Sequence, residues 1–128
     1  TSSSFTVGSN ASTGASGEDY IAYLFATVPG VSKVGSYTGN NVSKTIDCGF
    51  SSGARFVLIK KINAGGNWYL FDSERGIVSG NDPFLYANET DAQYTSFDLI
   101  DPDSSGFALP STGDLNSNND TYIFLAIA

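Results

Sequence analysis

Short apolar runs rich in Val, Ile, Tyr and Phe recur roughly every ten residues along this chain, and glycine, asparagine, serine and proline words separate them. GSN, TGNN, AGGN, SGNDP, DPDSSG and STGD are turn chemistry, so each run has room for a short strand and for little else. The fold class expected is all-β, an antiparallel β-sandwich of jelly-roll-like form with about eight to ten short strands. Strands are placed near Phe5–Val7, Tyr20–Thr27, Lys33–Tyr37, Lys44–Cys48, Phe56–Ile62, Trp68–Asp72, Phe84–Ala87, Asp98–Ile100, Gly106–Leu109 and Tyr122–Ile127. Only ANETDAQY is expected to hold a turn of helix. The clearest hairpin is RFVLIKKINAGGNWYLFDS, where Gly65 and Gly66 can supply positive φ between two apolar strands.

The run YIFLAIA (Tyr122–Ala128) has a near echo in YIAYLFA (Tyr20–Ala26). Both are apolar on their two faces, as a strand in the middle of a sheet or inside an interface must be. Slid against itself by 102 positions, the chain lays Ser2–Ala26 over Ser104–Ala128 without a gap. Seven of these positions are identical, Phe5 with Phe107, Tyr20 with Tyr122 and Ile21 with Ile123 among them, and the polar loops between the two apolar words are equally long. The 128 residues therefore read as a single sandwich domain, 1–128, in which 2–26 resembles the closing strand–loop–strand of a preceding repeat. Because the first residue is Thr1, the chain is expected to start inside a longer polypeptide.

Charge narrows the partners. Six Lys and Arg against thirteen Asp and Glu give a net charge of −7, which repels phosphate backbones and anionic headgroups, so neither nucleic acid nor membrane insertion is expected. No run nears the roughly 20 apolar residues of a membrane-spanning helix, and no segment reads as a targeting signal. Cys48 is the only cysteine, so no internal disulfide can form, and it is expected to be an inert core residue.

Histidine is absent, which removes Ser-His-Asp and Cys-His arrangements, and neither a GxSxG elbow nor a phosphate-binding glycine loop occurs. Carboxylate pairs drawn from Asp72, Glu74, Asp98 and Asp101 are read as surface charge and turn caps; no enzyme, no cofactor and no catalytic residue is expected. DLNSNND spaces oxygen ligands at Asp114, Asn116, Asn118 and Asp120 like the first half of a calcium loop. It lacks the glycine and the bidentate glutamate of such loops, and its echo carries Ser12, Gly14, Ser16 and Glu18, so a polar hairpin loop is the better reading and metal binding a weak candidate. GGNWYLFDSERG mixes aromatic, acidic and basic side chains as a sugar-contacting surface does. Trp68, Tyr69, Asp72 and Arg75, with Tyr37, Tyr86 and Tyr94, form the candidate ligand-binding set, although strand alternation must send part of it into the core.

GSYTGNNVSKTIDCGF, FVLIKKINAGGNWYLFDSERG, SSGF and the terminal TYIFLAIA together resemble a tandem β-repeat domain of tailed-phage virion proteins, of marine and cyanophage type, which are structural or tail-fibre components. The resemblance runs from about Val31 to Ala128 and brings no catalytic residue and no ligand with it. It implies a non-enzymatic structural and adhesion module on the virion surface, in a fibre, a spike or the capsid, that acts in assembly and host attachment. Its partners would then be other copies of virion proteins, a homotrimer among the assemblies expected, and a host-surface glycan. The alternative is a lectin-like receptor-binding domain, and a polysaccharide depolymerase is more distant.

Overall fold

The computed structural model of the chain describes residues 4–128. Among these residues nine strands form: β1 (Ser32–Thr38), β2 (Lys44–Asp47), β3 (Phe56–Lys61), β4 (Trp68–Asp72), β5 (Asp82–Tyr86), β6 (Tyr94–Phe97), β7 (Asp101–Asp103), β8 (Gly106–Leu109) and β9 (Thr121–Ile127). All pairings are antiparallel, giving a six-stranded sheet of order β1-β9-β3-β4-β5-β6 and a three-stranded sheet of order β2-β8-β7. The two sheets pack as a β-sandwich. Its wrapping is jelly-roll-like, because β1 and β2, at the start of the fold, pair in separate sheets with β9 and β8, at its end.

Period-two alternation explains which side chains meet between the sheets. Val57 and Ile59, Tyr69 and Phe71, and Tyr122, Phe124 and Ala126 point inward from β3, β4 and β9, and meet Ile46, Phe107 and Leu109 of the smaller sheet. Phe107 stands edge-on to Phe124 with ring centroids 5.5 Å apart, which ties the two layers at their centre. Gly35 and Gly106 mark tight places between the strands. A Cβ on Gly35 would come within 2.8 Å of the Phe124 ring, and one on Gly106 would stand 2.2 Å from the Ile46 carbonyl oxygen. Cys48 is buried, and burial pushes its thiol up to about 11, as suits an inert core residue.

Four expectations need correction. Phe5–Val7 and Tyr20–Thr27 are not strands: residues 4–27 form an extended arm outside the sandwich, with Ile21, Tyr23 and Leu24 largely exposed. The physical reason is occupancy. β8 and β9 already fill the places that these runs would take, so a second copy finds its own slot in the two sheets occupied. Asp98–Ile100 is not a strand either, because the Leu99 and Ile100 amides donate to the buried Asp82 carboxylate, at 3.1 and 3.0 Å, before β7 begins. ANETDAQY holds a turn and the start of β6 rather than helix, since Tyr94 is claimed by pairing with Phe84.

Candidate functional site

The outer face of the six-stranded sheet carries an unusual apolar row. Val34, Leu125, Leu58 and Leu70 lie side by side across β1, β9, β3 and β4, and Ile123 and Trp68 flank Lys60 in the next row. A sheet face turned to water would alternate to polar residues here. The arm crosses this face. Tyr23 and Phe25 close a groove of about 320 Å³ over Val34, Leu58, Trp68 and Ile123. Leu125 is consequently only 7% exposed, although it takes no part in the core between the sheets. The arm is held by Thr27 and Ser32: the Val34 amide donates to Thr27 Oγ1 at 3.1 Å, and Ser32 Oγ donates to the Ala26 carbonyl at 2.8 Å.

Trp68 is half-buried in this groove, with Lys60 Nζ 5.8 Å from its ring centroid. Tyr69, its neighbour, faces the other way. Tyr69 is buried, makes an edge contact with Tyr86 at 4.9 Å and donates from its hydroxyl to Asp114 Oδ2 at 3.3 Å; burial first, then the Tyr86 and Asp114 contacts, raise its pKa far above the usual tyrosine range. Tyr37 is likewise core. Its ring stacks on Tyr122 at 4.9 Å and its hydroxyl donates to the Leu115 carbonyl at 2.8 Å, and burial, with Tyr122 beside it, raises its pKa strongly. The expectation that Tyr37 and Tyr69 are exposed contact aromatics is thus corrected: both take inward positions, Tyr37 on the edge strand β1 and Tyr69 on the central β4. Asp72 and Arg75 sit at the far end of β4, where the Arg75 amide and guanidinium both donate to the Asp72 carboxylate. Burial raises the Asp72 carboxyl, but these bonds outweigh it and hold the group below the usual carboxylate range. Asp72 lies four positions along β4 from Trp68, or roughly 13 Å. The candidate set therefore does not converge on one site.

Tyr86 and Tyr94 are placed differently. Half-buried at the β5–β6 margin, they pack on the fully buried Phe84, which stacks with Tyr94 at 5.1 Å, and Tyr94 donates to Asp91 Oδ2 at 2.7 Å. The bond to Asp91, then burial, raise the Tyr94 pKa.

The DLNSNND loop spends its oxygens on the fold. Asn116 is buried; its Nδ2 donates to the Pro110 and Val42 carbonyls at 2.7 and 2.9 Å, and its Oδ1 accepts from the Asn40 amide at 3.2 Å. Asp120 pairs with Lys61 Nζ at 2.6 Å, and that hydrogen bond is the chief cause of the raised Lys61 pKa. Asp114 receives the Tyr69 hydroxyl. Among the described residues no three His, Cys, Asp or Glu side chains gather as a metal site would need.

A family described as a domain of unknown function (DUF7483) matches residues 1–128, arm and sandwich alike. The chain belongs to that family. No curated protein and no solved structure matches the chain. What distinguishes this DUF7483 domain is therefore its own geometry. Sequence reasoning gave the apolar run Tyr20–Thr27 a strand's role and missed the outer groove, because a continuous apolar run reads the same whether it is buried within a sheet or laid across one.

Proposed function

We propose that this domain is a non-enzymatic structural and adhesion module of a phage virion, acting in assembly and in contact with the host surface. The observation that carries this reading is the apolar surface displayed outside a closed sandwich. Ile21, Tyr23 and Leu24 are 83, 80 and 75% exposed, and they are contiguous on an arm that leads onto an apolar sheet face. Monomers that work alone rarely display such a patch, whereas assembling subunits need one. The sequence words that resemble tail-fibre and virion repeats favour the same setting, and a net charge of −7 suits a surface that must avoid nonspecific adhesion to nucleic acid. Light scattering at micromolar concentration tests the assembly reading: a stable oligomer, a trimer for a fibre, is expected, and a strict monomer counts against it.

A lectin-like role is the second reading, favoured by the half-buried Tyr86–Tyr94 pair beside Asp91 and by Trp68 beneath Lys60. Such amphipathic rings suit sugar faces. Glycan-array binding lost at least tenfold in Trp68→Ala or Tyr94→Ala would support it, and no binding to host polysaccharide at high protein concentration would remove it.

A further inference from the structure

The arm and the chain's closing segment share more than letters. Shifted by 102 positions, their loops make the same bonds. The Ser117 amide donates to Tyr122 Oη at 3.3 Å, and the Ala15 amide donates to Tyr20 Oη at 3.1 Å. The Asp120 amide donates to the Ser117 carbonyl at 3.1 Å, and the Glu18 amide to the Ala15 carbonyl at 3.4 Å. Asn119 and Gly17 hold the left-handed backbone at matching places, with φ of 64° and 86°. Tyr122 donates to the Asp114 carbonyl and Tyr20 to the Ala11 carbonyl, one position off the exact shift. Even the Asn116–Pro110 contact has its counterpart, since Gly14 approaches Gly8 so closely that a Cβ would lie 2.1 Å from the Gly8 carbonyl oxygen. The arm's loop thus folds like the β8–β9 loop without any sheet around it, and it ends by launching an extended apolar run.

We propose that residues 4–26 are a strand-donating arm: a second copy of the β8–loop–β9 closing pair, which completes another unit of this same fold. The inference rests on the assembly reading above, and it names the partner and the mode of contact. Within this chain the slot is taken, because β9 is seated between β1 and β3 along its whole length. In an acceptor, Tyr20, Ala22 and Leu24 would face inward where Tyr122, Phe124 and Ala126 do here, and Phe5 would stand where Phe107 stands.

The order of large and small residues is reversed, and this says which unit the arm fits. Phe124 fills the space above Gly35, where Ala22 would leave a void. The arm therefore belongs in a sister unit that carries a larger residue at the place of Gly35 and has room opposite Leu24. Strand donation of this kind supplies main-chain hydrogen bonds for affinity and side-chain pockets for specificity.

One substitution in the full chain converts its own slot into such an acceptor. Gly35→Leu drives a side chain into the Phe124 ring and fills the space that Ala22 leaves. Ala128 already donates to the Val31 carbonyl at 2.9 Å, so an arm ending at Ala26 in that position needs only residues 27–30 to turn into β1, or it can enter a second molecule. In Gly35→Leu, hydrogen-exchange protection is expected to leave 121–127 and to rise on the order of a hundredfold across 20–26. A chain that unfolds, or stays folded while 20–26 exchange freely, overturns the proposal. Adding Leu24→Asp to Gly35→Leu is expected to abolish the folded sheet; a fold that survives both changes also overturns it. Light scattering on the same samples separates the two readings, since an oligomer whose 20–26 amides exchange freely keeps assembly and removes strand donation.

Discussion

Asn116 shows how a residue's chemistry can be right and its employment different. The alternating oxygens of DLNSNND have the spacing of cation ligands, yet the buried amide faces two carbonyls that need donors and one backbone amide that needs an acceptor. A carboxamide meets both needs at once, and no other side chain of its size does. Asn116→Ala is expected to lower unfolding stability in urea by about 2–4 kcal/mol, because it leaves buried polar groups unpartnered. Asn116→Asp is expected to cost more, since it turns a carboxylate toward two carbonyls. Nothing in the sequence distinguishes this loop plug from a ligand: the decisive contacts, to Asn40 and Val42, come from residues 76 and 74 positions away along the chain. Tyr37 and Tyr69 illustrate the same point, because alternation says that one of two neighbours is core without saying which.

Strands fared better than single side chains. Those around β1, β2, β3, β4, β5, β8 and β9 were legible because each joins apolar alternation to a turn word at its end. β6 was not, since YTSF lies at a sheet edge with three of its four residues exposed and has little alternation to read. The β7–β8 hairpin turns on Asp103, whose Oδ1 accepts from both the amide and the hydroxyl of Ser105, at 2.8 and 2.7 Å. Those bonds hold the Asp103 carboxyl below the usual range. Its pKa is lower folded than unfolded, so the stability it contributes is complete above the ordinary aspartate value and is lost as pH falls through the folded one. The urea midpoint should stay level from about pH 7 to pH 5 and decline toward pH 3, and Asp103→Asn should flatten that acid limb. An unchanged decline in Asp103→Asn would assign it to other carboxylates.

At the scale of the molecule, arm and sandwich are separable, and Trp68 reports on both as the only tryptophan. Removing residues 1–26 is expected to leave a cooperative unfolding transition, shifted by about 1–2 kcal/mol for the lost cover of Tyr23 and Phe25. Native emission from Trp68 should move to the red as water enters the groove; emission identical to that of the full chain would mean that the arm does not rest there in solution. The sandwich as a whole was readable because packing follows periodicity, whereas the arm's position depends on what already occupies the slot, which no local pattern records. The pairing of β1 with β9 has a mechanical side as well. Ser32 lies opposite Ile127, and the Ala128 amide bonds the Val31 carbonyl, so the two ends of this ladder leave the sandwich together. Tension applied between Val31 and Ala128 would load the ladder one rung at a time, so the domain should peel open like a zipper at low force instead of resisting in shear.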